Sequence, residues 1–235
     1  SVQNAMIWRS PVRSLRQKAN WASYASRRRI SNNMDKGLII VLSAPSGTGK
    51  SSICRHLLKE HPEIAFSVSY TSRKPRPGEV DGKDYHFISR EDFQRRIDEG
   101  EFVEWVENYG NFYGTSANTI ECVLKDGRDL LLDIEPRGAQ AIKNRFPDAV
   151  FVFVLPPSLE ELLRRLEKRG HETPQAIKDR FAQAESELKE VLWYDYVIFN
   201  EELETAIDQM MAIYRAEKCK ISRLHGRIDC FFKSC

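Results

Sequence analysis

The sequence predicts an α/β fold in which a parallel β-sheet is covered by helices on both faces. Three apolar runs carry this prediction, at residues 38–42, 130–134 and 150–155. They are continuous rather than alternating, as expected of strands buried on both faces, and helix-like segments follow the first two. The chain has 235 residues, of which 41% are hydrophobic, and is therefore long enough for one large domain with its own core.

The elements of this core can be placed in chain order. The predicted strands span 38–42, 130–134, 150–155 and 197–199, and the predicted helices span 51–59, 139–145 and 202–217. The first helix is indicated by the apolar stripe of Ile53, Leu57 and Leu58. The third strand ends where Pro156 and Pro157 remove the backbone donors that a continued strand would need.

Two stretches interrupt the core. Residues 66–117 combine short alternating runs, aromatic residues and turns such as Pro77-Gly78, and they predict a small mixed β insert with one helix over 91–99. Residues 158–190 are helical and highly charged, and the break at 170–174 divides them into a mobile hairpin of two helices. The predicted domain thus comprises the core segments 37–65, 118–157 and 191–217, the insert 66–117 and the charged hairpin 158–190.

The two ends lie outside this pattern. Residues 1–34 contain seven basic side chains and no acidic one, whereas the remainder carries 29 basic against 34 acidic residues. The basic leader, counted as residues 1–36, has the composition of an organelle transit peptide, and it equally fits sequence upstream of a start at Met34. Residues 218–235 form a tail, for which a docking role and a frayed end both stay open.

The composition argues against several classes of function. The formal charge of +2 comes from the leader, so a nucleic-acid-binding body is not expected. The longest apolar runs fall far short of the ~18 residues that a membrane-spanning helix needs, so no membrane partner is expected. Five irregularly spaced cysteines without a C-x-x-C pair argue against a zinc site and a disulfide framework. Reduced thiols favour a cytoplasmic location, or an organellar one if the leader is a transit peptide.

The strongest chemical signal is a phosphate-binding loop between the first strand and the first helix. It consists of Ala44, Pro45, Ser46, Gly47, Thr48, Gly49, Lys50 and Ser51, and Ser52 directly after it is a further candidate nucleotide-binding residue. Gly47 and Gly49 let consecutive backbone N–H groups turn inward, and the helix N-terminus adds a positive dipole end. Lys50 is expected to neutralise phosphate charge and Ser51 to offer its hydroxyl to Mg²⁺. Ala44 replaces the usual first glycine, but the two glycines that the turn needs remain.

A carboxylate, Asp133, lies in the next apolar run. At the edge of a parallel sheet it can reach Lys50 or the shell of a bound Mg²⁺. A cap or turn role at the end of a strand is equally compatible with its position. Both alternatives stay open at this point.

The insert contains the residues that indicate the acceptor. Two arginines stand across a proline turn in Ser69-Tyr70-Thr71-Ser72-Arg73-Lys74-Pro75-Arg76, followed by Asp84-Tyr85-His86-Phe87, Glu104-Trp105 and Asn111-Phe112-Tyr113-Gly114-Thr115. With these motifs in this order, the sequence resembles guanylate kinase of the bacterial type, whose phosphate loop also begins with alanine. The resemblance extends from about residue 37 to about residue 214. It implies a P-loop kinase fold with a mixed β insert that binds the nucleoside monophosphate and a helical lid.

The resemblance implies two sets of GMP-binding residues. The phosphate of GMP is assigned to Arg73, Arg76, Tyr85 and Tyr113, and the guanine base to Glu104, Ser69 and Thr115. Two guanidinium forks and two phenolic hydroxyls suit a phosphate dianion. A carboxylate accepts from both N1 and N2 of guanine, whereas adenine presents a lone pair at N1. Without the resemblance, the arginines are ordinary solvated loop charges and Glu104 is an ordinary strand residue.

Two further acidic residues are assigned to GMP by the resemblance, Asp133 and Glu135. The family pattern has an aspartate two positions after Asp133, whereas this sequence has Glu135 there. The added methylene shifts the carboxylate by roughly 1.5 Å, the length of one C–C bond. Glu135 therefore needs a different rotamer to keep an ion pair with the first phosphate-binding arginine.

The charged hairpin corresponds to the lid of the family. Arg165, Arg169 and Arg180 match its lid arginines, and Asn200 matches a residue on the adenine side of ATP. Arginines delivered by closure stabilise the charge of phosphoryl transfer and exclude water, so these three and Lys50 are the expected catalytic residues. Arg164 is expected to be a solvent-facing helix charge.

The activity implied by the resemblance is transfer of the γ-phosphoryl group of ATP to GMP, with Mg²⁺ accompanying ATP. GMP and ATP are then the partners, and GDP and ADP are the products. Two alternatives stay open. One is a non-catalytic interaction module with a guanylate-kinase-like fold. The other is a P-loop kinase of a different phosphate-bearing acceptor, which the change at Glu135 keeps open.

Overall fold

The structure, a computed structural model, describes residues 37–108, 110–168 and 173–233. The basic leader therefore lies outside the described residues. The predicted α/β class is confirmed: a parallel sheet with helices on both faces stands beside a second, mixed sheet. No helix within the described ranges is long and apolar enough to cross a bilayer.

The first sheet contains five parallel strands in the order β2-β7-β1-β8-β9. Their bounds are β1 Ile39–Ser43, β2 Ala65–Phe66, β7 Leu130–Asp133, β8 Val150–Leu155 and β9 Tyr196–Phe199. Side chains of β1 alternate between two apolar clusters, with Ile40 and Leu42 on one face and Ile39 and Val41 on the other. All four are buried, because helices cover both faces of the sheet.

The helices of this layer are α1 Lys50–Glu60, α3 Ala117–Lys125, α4 Pro136–Arg145 and α7 Leu203–Lys218. The helix predicted over 139–145 begins three residues earlier, at Pro136. Proline is favoured in the first turn of a helix, because its fixed φ suits the helix and its missing N–H would have no helical partner there. The residue in the cap position of α4 is Glu135, whose side chain makes no capping hydrogen bond.

The second sheet has the order β4-β3-β6-β5 and carries one helix. Its elements are β3 Tyr70–Thr71, β4 His86–Phe87, α2 Arg90–Asp98, β5 Phe102–Asn108 and β6 Asn111–Ser116. The helix is held by Phe93, which is fully buried and stacks on Phe102 and Phe112. A Cβ at Gly114 would lie 2.9 Å from the Phe93 ring, so the strand beneath the ring requires glycine at this position.

The charged hairpin forms two helices, α5 Leu159–Lys168 and α6 Pro174–Leu188. They pack on each other through Leu162, Leu166 and Ala184. A short 3₁₀ helix, Lys189–Trp193, follows and leads into β9. The hairpin predicted from the charged stretch is therefore present, and Arg169 lies outside the described residues.

The tail beyond residue 217 contains one more helix, α8 His225–Lys233, rather than an entirely frayed end. It is anchored by Arg223, whose Nη2 lies 3.3 Å from an oxygen of the buried Glu217 carboxylate. The thiols of Cys54, Cys122 and Cys219 are free, whereas Cys230 is disulfide-bonded. The expectation of reduced thiols is wrong at Cys230, and the cytoplasmic location stays a prediction.

Candidate active site

The phosphate-binding loop follows β1 and closes on the first turn of α1. Gly47 and Gly49 have φ angles of 98° and 93°, in the left-handed region that glycine adopts without strain. A Cβ on Gly49 would lie 2.3 Å from Asn200 Nδ2, and one on Gly47 would lie 3.3 Å from Leu162 and Leu166 of α5. The loop therefore needs both glycines for its turns, and Gly49 also for the close approach of Asn200.

Lys50 and Asp133 form an ion pair at the carboxyl edge of the parallel sheet. The register pairs Leu42 with Asp133, so the end of β7 lies beside the start of the loop. Lys50 Nζ is 2.6 Å from Asp133 Oδ1 and donates to the Ile134 carbonyl at 3.1 Å. Burial alone would lower the pKa of Lys50, but the Asp133 carboxylate outweighs it and the pKa is raised. Of the two alternatives for Asp133, the geometry therefore matches the lysine contact rather than a helix cap.

The charged hairpin reaches the phosphate loop with two of its arginines. Arg180 Nη2 donates to Ser46 Oγ at 2.5 Å, and Arg165 Nη1 donates to the Thr48 carbonyl at 3.4 Å. Arg165 is steadied by Glu161, whose Oε1 lies 2.7 Å from Nε. Both arginines therefore stand over the loop, next to the positions that a bound polyphosphate would occupy.

Asn200 and Arg164 lie near the contacts between the charged hairpin and the phosphate loop. Asn200 is buried and donates from Nδ2 to the Thr48 carbonyl at 2.6 Å, so it supports the loop from behind. Arg164 pairs with Glu161 on the solvent side of α5, where its side chain is 50% exposed. Arg164 therefore faces solvent, as the sequence predicts.

The mixed sheet gathers an arginine and two tyrosines on one side of the cleft. The Arg73 guanidinium lies 5.4 Å from the Tyr85 ring centroid, and the rings of Tyr85 and Tyr113 are 6.0 Å apart. Burial and the Asp133 carboxylate raise the pKa of Tyr85, so its hydroxyl stays protonated and able to donate. Arg76 lies on the neighbouring turn with its side chain exposed.

Glu79 holds Arg73 in a defined orientation. Nη1 and Nη2 of Arg73 donate to the two Glu79 oxygens at 2.8 and 2.9 Å, and Nη1 also donates to the Lys74 carbonyl at 2.8 Å. The same carboxylate accepts from the backbone N–H of Arg76 at 2.7 Å. Arg73 Nε is buried and has no hydrogen-bond partner in the described part of the chain. The Glu79 carboxylate, together with the neighbouring Tyr113 hydroxyl, raises the pKa of Arg73, and Nε takes no part in the pairing with Glu79.

Two of the residues expected to bind the base, Glu104 and Thr115, lie opposite each other where β5 pairs with β6. Glu104 is 7% exposed, and its Oε1 accepts from the Thr115 hydroxyl at 2.6 Å. The pairing of Tyr70 with Gly114 places Ser69, which precedes β3, beside Thr115. Burial raises the pKa of Glu104 to about 7, against a smaller lowering effect of the Thr115 hydrogen bond. This carboxyl group is therefore poised between its neutral and ionised forms at neutral pH.

Glu135 stands close to Glu104 at the start of α4. Asn108 Nδ2 donates to Glu135 Oε1 at 2.8 Å, which fixes the longer side chain in one rotamer. Glu135 Oε2 is buried and unpartnered among the described residues. A buried carboxylate oxygen without a donor is costly, so this oxygen is available to a donor that a ligand brings.

Three residues of this site were missed by the sequence analysis. Glu79 holds Arg73, Asn108 holds Glu135, and Gly138 lies against Glu104. A signal for Glu79 exists in the sequence, because it stands six residues after Arg73 across a proline-rich turn. No local pattern marks Asn108 or Gly138, because their partners lie 27 and 34 positions away in the chain.

The fold and this site define a class of protein. A phosphate loop with an intact lysine stands beside a second sheet that combines an arginine and two tyrosines with a buried carboxylate. A helical hairpin brings arginines to the loop. These are the parts of a P-loop phosphotransferase with separate sites for a polyphosphate donor and a small acceptor.

Comparison with known proteins gives the particular family. The guanylate kinase family model matches residues 36–217. The guanylate kinase of Syntrophus aciditrophicus (strain SB) is 54% identical over 194 residues, which cover 83% of this chain and 93% of that protein. The guanylate kinase of Clostridioides difficile (strain 630) is 52% identical over 198 residues, covering 84% and 97%. The chain belongs to the guanylate kinase family.

A solved structure supports the same conclusion. The crystal structure of guanylate kinase from Anaplasma phagocytophilum superposes with a TM-score of 0.68 at 36% sequence identity, and the match covers 82% of this chain and 92% of that one. The resemblance stated from the sequence motifs is therefore confirmed.

Proposed function

We propose that this chain, as an enzyme of the guanylate kinase family, transfers the γ-phosphoryl group of ATP to GMP and releases ADP and GDP. The observation that carries the proposal is the pairing of two features across one cleft. An intact phosphate loop with Lys50 stands on one side, and the buried Glu104 carboxylate stands on the other. A polyphosphate donor and a guanine-bearing acceptor are the ligands that these two features fit.

In this proposal the ATP phosphates bind to the loop over residues 44–51 and to the adjoining Ser52. The backbone N–H groups of the loop and the N-terminus of α1 supply donors and a positive dipole end. Lys50 already stands at the edge of the loop, so it can leave Asp133 for a phosphate oxygen without a large movement of its backbone. Asn200 keeps the loop in this shape through the Thr48 carbonyl.

The residues beside Lys50 fit Mg²⁺ as the ion that accompanies ATP. Mg²⁺ keeps several waters and uses one or two protein oxygens together with phosphate oxygens, so it needs no cage of protein ligands. Ser51 is exposed in the first turn of α1, and its hydroxyl would hold the ion. The described residues contain no group of three His, Cys, Asp or Glu side chains that could hold a metal ion without a substrate. When bound, Mg²⁺ neutralises phosphate charge.

The GMP phosphate binds between Arg73, Arg76, Tyr85 and Tyr113. Arg73 offers its Nε edge, and charge-assisted hydrogen bonds to a phosphate dianion are each worth about 1.5–3 kcal/mol. The Tyr85 hydroxyl, kept protonated by its raised pKa, is a further donor. Arg76 is exposed in the same turn, so burial does not keep its guanidinium from a ligand.

Replacing Glu79 by glutamine should raise the KM for GMP about tenfold, because Arg73 loses the carboxylate that orients its fork. The KM for ATP should not change. Steady-state kinetics with each nucleotide varied in turn measures both values. The matched control is Glu107→Gln, which removes an exposed ion pair with Arg90 elsewhere on the same sheet. An unchanged KM for GMP would show that Glu79 does not prepare Arg73.

The guanine base lies against Glu104, Thr115 and Ser69. The ionised Glu104 accepts from N1–H and N2–H of guanine, whereas adenine would turn a lone pair toward a buried carboxylate. Thr115 holds Glu104 in place through its hydroxyl, and Ser69 directly precedes the adjoining strand β3. Glu135 offers its unpartnered Oε2 to the same ligand, and Asp133 is released toward this site when Lys50 turns to a phosphate oxygen.

Replacing Asn108 by alanine should raise the KM for GMP by about three- to tenfold, because one hydrogen bond that fixes Glu135 is lost. In a Glu135→Ala background the same replacement should have no further effect. Initial rates at varied GMP for the two single variants and the double variant test this coupling. Asn118→Ala, an exposed asparagine on α3, is the control. Additive losses in the double variant would refute the coupling.

The charged hairpin supplies the positive charge that phosphoryl transfer needs. Arg165 and Arg180 stand over the loop, and Arg169 is proposed to act with them. Donor and acceptor are held in line, so catalysis depends on positioning and on electrostatic stabilisation rather than on a strong base. The arginines also exclude water, which protects ATP from hydrolysis.

A coupled assay of ADP release tests the proposed function. One preparation is titrated with GMP, AMP, IMP, CMP and UMP at fixed ATP and Mg²⁺. GMP should give the highest kcat/KM by a wide margin. Preference for another acceptor would identify a P-loop kinase of different specificity, and no release with any acceptor would identify a non-catalytic module. The family match and the intact Lys50 favour neither alternative.

A further inference from the structure

The first turn of α4 lies directly against the carboxylate of Glu104. The contact is made by Gly138, which is buried. A Cβ at this position would lie 2.2 Å from Glu104 Oε2 and 2.9 Å from Glu104 Cδ. Both distances are shorter than Cβ atoms allow, so Gly138 and the present position of Glu104 depend on each other.

Glu104 has little freedom to move away from position 138. Its Oε1 is held by the Thr115 hydroxyl at 2.6 Å, and its side chain is 7% exposed. The side of α4 next to Gly138 is also filled, because the Cβ position lies 3.0 Å from Ile134 Cγ2. To restore an ordinary contact of 3.4 Å, the Oε2 atom would have to shift by about 1 Å.

The backbone of Gly138 does not itself require glycine. Gly138 lies inside α4 and is absent from the positive-φ glycines of the described residues. Glycine is the poorest helix former after proline, so its presence in the helix carries a cost that alanine would avoid. The missing side chain is therefore explained by the neighbouring carboxylate and not by the helix.

We propose that Gly138 is a positioning residue that determines specificity for guanine. Because Gly138 has no side chain, the Glu104 carboxylate can lie directly against the first turn of α4. In this position one carboxylate can accept from both N1 and N2 of the base. The inference rests on the proposed function and deepens it. A side chain at position 138 displaces the Glu104 carboxylate by about 1 Å from its present position, which disturbs both hydrogen bonds to the base.

The test compares Gly138→Ala with the unchanged chain and with Gln140→Ala, an exposed position on the same helix. The KM for GMP should rise at least about tenfold, the cost of one disturbed hydrogen bond to a charged group. The preference for GMP over AMP should fall, whereas the KM for ATP and the rate at saturating GMP should change little. Gln140→Ala should leave all four quantities unchanged. An unchanged KM for GMP and an unchanged preference in Gly138→Ala would overturn the proposal.

A double variant separates this role from a general effect on the helix. In a Glu104→Ala background there is no carboxylate to displace, so Gly138→Ala should not lower kcat/KM for GMP further. An equal loss in both backgrounds would overturn the proposal. If Gly138→Ala alone does not fold, the double variant should fold as well as Glu104→Ala, because the clash is gone, and its failure to fold would also overturn the proposal. Failure of the proposed function is distinguishable, since the unchanged chain would then not phosphorylate GMP.

Discussion

Replacing Lys50 by alanine should abolish turnover while the fold is retained. Lys50 is the ammonium group at the phosphate loop, and it stands 2.6 Å from Asp133 at the edge of the sheet. Without it, the charge that develops on the transferred phosphoryl group loses a fixed positive partner, and Asp133 is left as an unpaired carboxylate beside the phosphates. We expect kcat to fall by roughly 1000-fold or more, as when a preorganised stabilising group is removed from an active site.

The measurement is ADP release at saturating ATP and GMP, with far-UV circular dichroism to confirm the fold. The side chain of Lys50 lies at the start of α1, outside the two apolar clusters, so its removal creates no core cavity. Lys59→Ala, in the last turn of the same helix, is the matched control and should retain full activity. Near-normal turnover of Lys50→Ala would remove the phosphate loop from the donor site.

Replacing Glu104 by glutamine should mainly weaken discrimination between GMP and AMP. The amide keeps the size of the side chain and can still accept from Thr115, but it can no longer accept from both N1 and N2 of guanine. The ratio of kcat/KM values for GMP and AMP should fall by roughly 100-fold, because sites that pair a buried polar group with the substrate lose discrimination steeply without it. An unchanged ratio would remove Glu104 from base recognition.

In Glu104→Gln, the KM for GMP should no longer change in a step near pH 7. Burial raises the pKa of Glu104 to about 7, and we propose that the ionised form is the one that accepts from guanine. The KM for GMP should therefore fall as pH rises through 7 and level off above it, and this step should vanish in Glu104→Gln. The second ionisation of the GMP phosphate, near pH 6, should remain in both proteins. A step of equal size in the variant would assign it to another group.

Stability of the ligand-free protein provides an independent readout of the same carboxyl group. Its folded-state pKa is raised from the ordinary 4.5, so its favourable contribution is complete below 4.5 and is lost as pH rises to about 7. Between pH 4 and pH 8 the unchanged chain should therefore lose about 3 kcal/mol of stability relative to Glu104→Gln, the equivalent of this pKa difference. Thermal melting at pH 4 and pH 8 measures the change.

The sequence predicts most of the fold because its core depends on local patterns. Continuous apolar runs mark buried parallel strands, and the loop over 44–51 is contiguous, so its strand, turn and helix follow from neighbouring residues. The sequence predicts the start of α4 at residue 139, three residues later than its start at Pro136 in the structure. The difference arises because the helical pattern of apolar residues begins only after the proline that opens the helix.

The contacts that hold the side chains of the candidate site in place could not be predicted from local sequence patterns. Arg165 and Arg180 reach loop residues that are 117 and 134 positions away, and the packing of α5 on the loop decides these contacts. The room that Gly138 leaves for Glu104 appears only when β5 packs on α4. Residue types and motif order indicate which groups take part, whereas tertiary packing decides which groups hold them in place.

The most direct test follows the label from ATP in a single turnover. ATP labelled with ³²P at the γ position is mixed with excess enzyme, GMP and Mg²⁺, and the products are separated by chromatography. We predict that the label appears in GDP, with little inorganic phosphate and no labelled product when AMP replaces GMP. Label that stays in ATP, or that is released as inorganic phosphate in the presence of GMP, would contradict a transfer between two nucleotides held in one cleft.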